Sequence, residues 1–119
     1  MTLEECYASL HGDYASAKKR LMTDRLVEKF ILKFPADPTM QQLREAVAVN
    51  LIAESFRAAH TLKGVAANLS FDELQKFASE LTEQLRPQTA AADPVLLQRV
   101  EESYRLVVDT ISAYMREHA

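Results

Sequence analysis

Two glycines and four prolines are all that this chain of 119 residues offers for tight turns. Two-residue hairpins depend on positive φ angles that glycine supplies most easily, so a meander of short strands has almost nowhere to turn. Alanine, leucine, glutamate, glutamine, lysine and arginine dominate the rest. These residues lose least on entering a helix. Apolar positions recur three and four apart. The chain is therefore expected to be all-α.

Start and stop signals divide it. Thr2 followed by Glu5 fits a capping box opening a short helix from Leu3 to about Leu10, which His11-Gly12-Asp13 ends with Gly12 as the left-handed cap. A second short helix runs from Tyr14 to about Leu21 and carries the basic run Lys18-Lys19-Arg20, read as a solvated face. Thr23 or Asp24 caps a third, whose Leu26, Val27, Phe30, Ile31 and Phe34 have the spacing of a buried stripe, and Pro35 stops it.

Asp37-Pro38 restarts the helix with a capping residue and a proline at the first helical position. Met40, Leu43, Ala46 and Val47 form its apolar face. Asn50 marks a break, since asparagine tolerates the left-handed conformation, and a long helix follows from about Leu51 to Asn68. Ser70-Phe71-Asp72-Glu73 reads as a second capping box, with Leu69 and Leu74 as a hydrophobic staple, opening a helix to about Arg86 on Leu74, Phe77, Ala78, Leu81 and Leu85. After the linker-like stretch from Pro87 to Ala92, Asp93-Pro94 opens the last helix through Leu97, Val100, Tyr104, Val107, Val108, Ile111 and Met115.

Four longer helices with short connections predict an antiparallel four-helix bundle with additional short N-terminal helices at one end. One domain is expected over 1–119, with N-terminal helices in 1–34, bundle core helices in 37–117, and the helix around 24–34 packing against them.

Charge and apolar patterning exclude several functions. With 17 acidic and 14 basic residues and no basic cluster, a nucleic-acid footprint is missing. No apolar run reaches the roughly 18 residues of a membrane span, and Met1-Thr2-Leu3-Glu4-Glu5 is acidic where a signal peptide is basic. Cys6 is the single cysteine and cannot form an internal disulfide; it is read as a small core residue of the first helix. A cytoplasmic monomer is expected, and Met1 favours a chain that stands alone.

The predicted long helix contains Ala59-His60-Thr61-Leu62-Lys63-Gly64-Val65-Ala66-Ala67-Asn68-Leu69. A glycine inside a helix costs about 1 kcal/mol relative to alanine, so Gly64 asks for a reason. Advancing about 100° per residue places Leu51, Ala58, Leu62, Ala66 and Leu69 opposite His60, as the core side. His60 then points outward among Ala53, Phe56, Arg57, Lys63, Gly64 and Ala67, small residues with one aromatic and two cations. A bland exposed face would carry Glu, Lys and Gln.

An ordinary histidine, with a pKa near about 6.5, is partly neutral at physiological pH, so a ring nitrogen can act as nucleophile. Lys63 can neutralise a phosphoryl group on that nitrogen, and Gly64 leaves room for its donor. There is no Ser/His/Asp constellation, no H-E-x-x-H, no Gly-rich phosphate loop and no second histidine at metal-ligand spacing. The phosphoryl group must come from a partner. Arg57 either steers an acidic partner surface or is simply solvated, and Phe56 is read as partly buried. His11 and His118, near helix ends, are taken as incidental.

The run Ala59-His60-Thr61-Leu62-Lys63-Gly64, followed by Ala66-Ala67-Asn68-Leu69 and a new helix, resembles the signature of histidine-containing phosphotransfer (HPt) domains. The resemblance extends from about Tyr14 to Arg86, with a compatible last helix. It implies that His60 is the phosphoacceptor, taking the group from a receiver-domain aspartate or a histidine kinase and passing it to a receiver. It also implies that Lys63 stabilises charge and Gly64 gives access, and Phe56, Arg57 and Ala67 fall on the partner-binding face. The chain would be a phosphocarrier without autonomous catalysis, with no cofactor and no metal site of its own, since Mg2+ in such exchanges belongs to the receiver. The family often has glycine after the Asn-Leu pair, where this chain has Ser70. It often has a polar residue near the histidine on the following helix; here Thr82 and Gln84 are the candidates. Two other readings stand beside this one: a non-catalytic helical adaptor that binds a partner through the His60 face, and the phosphoacceptor segment of a kinase detached from its ATP-binding part.

Overall fold

Seven α-helices and one 3-10 turn make up the chain in a computed structural model that describes residues 1–119. They are α1 (Leu3–Ser9), α2 (Tyr14–Leu21), α3 (Asp24–Lys33), α4 (Thr39–Ala48), α5 (Ile52–Asn68), α6 (Asp72–Leu85) and α7 (Pro94–Glu117), with the 3-10 turn Phe34–Ala36 after α3. There is no strand, and no helix is long and apolar enough to cross a membrane. α5 packs between α4 and α6, and α6 packs on α7. Arg44 of α4 grips Glu101 of α7 through two hydrogen bonds of 2.8 and 2.7 Å, with its guanidinium 5.2 Å from the Tyr104 ring centre. α1 and α3 lie against α7 and are linked through α2.

Several helix starts follow the side-chain chemistry read above. Thr2 and Glu5 form the reciprocal capping box of α1, Thr23 accepts from the Leu26 amide at the start of α3, and Asp93 accepts from the amides of Val95 and Leu96 at the start of α7. α4 starts one residue later than the proline suggests. Pro38 occupies the cap position itself, and the Asp37 carboxylate reaches past it to the Thr39 amide at 2.8 Å.

The helix ends depart further from expectation, because glycine closes none of them. At the end of α1 the left-handed residue is His11 (φ 60), and Gly12 keeps a negative φ. The Gly12 and His11 amides donate to the carbonyls of Tyr7 and Ala8, the paired bonds of a Schellman motif. α4 ends the same way on Asn50 (φ 54), the left-handed break its sequence predicts, and α5 on Ser70 (φ 56). In α5 the Phe71 amide donates to Ala66 and the Ser70 amide to Ala67.

That geometry removes the second capping box. Ser70 belongs to the end of α5, Phe71 is the cap position of α6, and no side chain caps it. The Ser70 hydroxyl instead accepts from Arg20 at 2.8 Å and donates to Ser16 at 3.1 Å. Arg20 also donates to the Asn68 carbonyl at 3.1 Å. It is thus a tie between α2 and the end of α5, not merely a solvated cation.

Gly12 has a different purpose. A Cβ built on it would lie 2.6 Å from the Ser70 carbonyl oxygen, 2.8 Å from Leu10 Cδ1 and 2.9 Å from Tyr7 Cδ2. This close approach joins the α1–α2 corner to the α5–α6 corner. Across it the Asp13 amide donates to Ser70 at 2.9 Å, the Tyr7 hydroxyl to Leu69 at 2.8 Å, and the Glu73 amide to His11 at 3.2 Å. Beneath lies an aromatic chain, Tyr7 to Phe71 to Phe34 to Tyr104, with successive ring centres 5.8, 5.2 and 5.7 Å apart.

The core includes Leu43, Leu62, Leu74, Leu81, Leu85, Val100, Val107 and Ile111. Four residues assigned to it from periodicity lie outside. Leu26 and Phe30 sit on the flank of α3, which turns only Val27 and Ile31 inward, together with Phe34 just beyond it. Leu51 is exposed because it precedes the first turn of α5, directly after the left-handed Asn50. Met115 falls in the last turns of α7, where Tyr114 takes the inward position.

Cys6 is fully buried, and burial pushes its thiol up to about 11. Only the thiolate attacks a disulfide reagent. At pH 8 the native chain is expected to react roughly two orders of magnitude more slowly than the chain in denaturant, where an ordinary thiol pKa near about 8.5 applies. Comparable rates in the two states would contradict a sealed α1.

Candidate functional site

α5 alternates between a face that must be dry and a face that is left open. Ser55, Ala58, Ala59, Leu62 and Ala66 are buried, while His60, Thr61 and Gly64 are exposed. Ala59 and Ser55 join the buried side because α4 and α6 cover α5 on two flanks. The Ser55 hydroxyl donates back to the Leu51 carbonyl at 2.8 Å, so its burial leaves no polar atom unpaired.

The three histidines have different surroundings. His11 Nδ1 lies 2.8 Å from Glu73 Oε2, and His118 Nε2 lies 2.8 Å from the Met1 carbonyl, so both have structural partners. His60 makes no hydrogen bond within the chain, and both its nitrogens are free for a partner. Its aromatic neighbour is Phe56, four residues earlier on the same face, whose ring centre is 6.0 Å away at an interplanar angle of 19°. Phe56 is half-buried, as expected.

One turn beyond His60, an added Cβ on Gly64 would meet nothing within 4 Å. No packing contact requires glycine there. Lys63 is half-exposed and forms no ion pair, and Ala67 is half-buried beside it on the helix. Arg57 is paired with Glu54 on its own helix at 3.0 Å and remains 67% exposed.

Neither α6 residue considered from the sequence reaches the histidine. Thr82 is fully buried, and its hydroxyl donates to the Ala78 carbonyl of its own helix at 2.7 Å. Gln84 staples the α6–α7 connection, donating to the Ala91 carbonyl and accepting from the Asp93 amide, both at 2.9 Å. α6 instead brings Glu83 and Arg86 to this face. Arg86 donates from Nε and Nη2 to the two Glu83 carboxylate oxygens, each at 2.9 Å, and its guanidinium carbon lies 5.4 Å from the Phe56 ring centre. The Arg86 hydrogen bond, with further help from the Arg86 and Lys63 charges, holds the Glu83 carboxyl below the usual carboxylate range. The i,i+3 spacing of Glu83 and Arg86 is legible in the chain as a helix ion pair, but not the helix it would face. No group of three or more His, Cys, Asp or Glu side chains converges as a metal site.

The family model of the Hpt domain matches residues 25–112. The chain belongs to the Hpt domain family. Neither a curated protein nor a solved structure gives a significant match to it. The matched span takes in α3 to α6 and most of α7, and leaves α1 and α2 outside. Hpt domains serve phosphotransfer in two-component signalling; they are phosphocarriers rather than enzymes, and they meet receiver domains and histidine kinases. In this Hpt domain the all-helical fold leaves one helix face with a free imidazole and an open glycine.

Proposed function

We propose that His60 is the phosphoacceptor of a phosphorelay, taking a phosphoryl group from a receiver aspartate or a histidine kinase and passing it to a receiver aspartate. The observation that carries this reading is an exposed imidazole with no internal hydrogen bond, one turn before a glycine with open space above it, on an Hpt fold. A ring nitrogen of neutral His60 attacks phosphorus in line. The N–P bond forms as the acyl-phosphate P–O bond breaks, and the aspartate leaves as a carboxylate with the bonding pair. Lys63 balances charge on the transferring group, and Phe56, Arg57, Gly64 and Ala67 form the surface on which the receiver docks. The chain acts as a monomeric carrier and needs no cofactor of its own. Its lone buried thiol supports a cytoplasmic setting.

The test is incubation with phosphorylated receiver domains. The chain should take up label that is acid-labile and alkali-stable, as a phosphoramidate is. Alkali-labile label would place the phosphoryl group on a carboxylate instead of His60, and no label at all would favour the adaptor reading. Gly64→Leu probes docking separately. A side chain worth about 1.4 kcal/mol of lost docking energy would lower the apparent receiver affinity tenfold, measured as the half-saturating receiver concentration. Unchanged affinity would remove Gly64 from the docking surface.

A further inference from the structure

We infer that Phe56, held by the Glu83–Arg86 pair of α6, positions the His60 imidazole for transfer. This rests on His60 being the acceptor. In-line transfer needs the attacking nitrogen about 3–3.5 Å from phosphorus and aligned with the bond that breaks. An imidazole on an exposed helix face otherwise divides its time among staggered rotamers. A hydrogen bond could hold it, but would occupy one ring nitrogen. The near-parallel Phe56 ring, its centre 6.0 Å away at 19°, takes no hydrogen bond from the imidazole and leaves both nitrogens free.

Phe56 is itself held from two sides. Its base packs against the core, and the Arg86 guanidinium lies 5.4 Å from its ring centre. Glu83 fixes that guanidinium through both carboxylate oxygens. A planar fork gripped at two points keeps its orientation better than a single contact would. The chain of contacts thus runs from α6 through an aromatic ring to the reacting side chain. The same pair has an electrostatic effect: Arg86 offsets the Glu83 carboxylate, which stands in the field of His60 and Lys63 and would repel an incoming phosphoryl group if left alone.

Three variants separate positioning from docking or simple packing. Phe56→Leu keeps an apolar side chain and removes the stack. Arg86→Ala removes the support from an exposed position that the core does not need. Arg86→Lys keeps a cation over the ring but loses the fork. Two quantities are read in the full chain: the His60 ring-proton resonances without any donor, and the transfer rate against concentration of phosphorylated receiver. Phe56→Leu and Arg86→Ala are expected to move the His60 resonances and to lower the rate at saturating receiver by about three- to tenfold, as expected when a ring is released among its rotamers. For Arg86→Ala, at a residue outside the docking surface, the half-saturating concentration should change by less than about twofold, which is 0.4 kcal/mol. Arg86→Lys should recover at least half of the lost rate. Unchanged resonances in both variants, or a higher half-saturating concentration with an unchanged saturated rate in Arg86→Ala, overturns the inference. Failure of the acceptor assignment is recognised separately, by a wild-type chain that takes no label.

Discussion

Replacing His60 with glutamine is expected to abolish phosphoryl uptake completely while leaving the fold intact. Glutamine has an amide in place of the ring nitrogen, and an amide nitrogen has no basic lone pair to attack phosphorus. The fold should not notice the change. His60 is exposed, makes no internal hydrogen bond, and has Phe56 as its aromatic neighbour. Glutamine is also a better helix former than histidine by a few tenths of a kcal/mol, so the melting temperature should stay within about 2 °C. The two measurements are label transferred from a phosphorylated receiver and a thermal unfolding curve. Label persisting in His60→Gln would sink the acceptor assignment, since neither His11 nor His118 lies on this face. Loss of label together with a large fall in melting temperature would mean that His60 is structural. An adaptor makes the opposite prediction, with no label in the wild type and partner binding unaffected by the substitution.

Much of the architecture could be read from local chemistry, because the devices that start helices are side-chain devices. The Thr2–Glu5 box, the Thr23 cap and the Asp93-Pro94 start are each encoded within four residues. The ends of helices were harder. A left-handed terminator was expected at Gly12 and found at His11, and Ser70 took the same conformation where a cap for the next helix was expected. Nothing local marks His11 or Ser70 for positive φ; their conformations follow from the two corners packing on each other.

The site divides along the same line. The outward direction of His60 and Gly64 follows from helical geometry along one element, and both are exposed. The neighbours from α6 depend on how two helices register, which a single chain does not display. Thr82 and Gln84 have the polarity expected beside a histidine, yet one turns into the core and the other into a loop, and Glu83 and Arg86 come to the face instead. The four misassigned core residues fail for a related reason. Leu26, Phe30, Leu51 and Met115 have the right spacing but sit on a flank or near an end, where no second helix covers them.

The two glycines should therefore respond to alanine with opposite signs. Gly64→Ala meets nothing within 4 Å and gains helix propensity, so it is expected to stabilise the fold by about 1 kcal/mol. Gly12→Ala forces a Cβ to within 2.6 Å of the Ser70 carbonyl oxygen, and backbone cannot step aside as a flexible side-chain end can. Parting the two corners would stretch the Asp13–Ser70 and Tyr7–Leu69 hydrogen bonds and loosen the contact of Tyr7 with Phe71. Overpacking typically costs about 1–3 kcal/mol, and a rigid backbone neighbour puts this position at the upper end. A loss of about 3 kcal/mol in a domain of this size lowers the melting temperature by about 10 °C, against a rise of about 4 °C for Gly64→Ala. Denaturant or thermal unfolding of the two variants beside the wild type reads both. Because Gly12 has a negative φ, the penalty must come from contact and not from backbone conformation. Serine at position 12, with the same Cβ, should therefore cost about as much as alanine. A neutral Gly12→Ala would mean that the α1–α2 corner does not sit against Ser70. The end of α5, eight residues beyond His60, would then be held to α2 through Arg20 and Ser16 only.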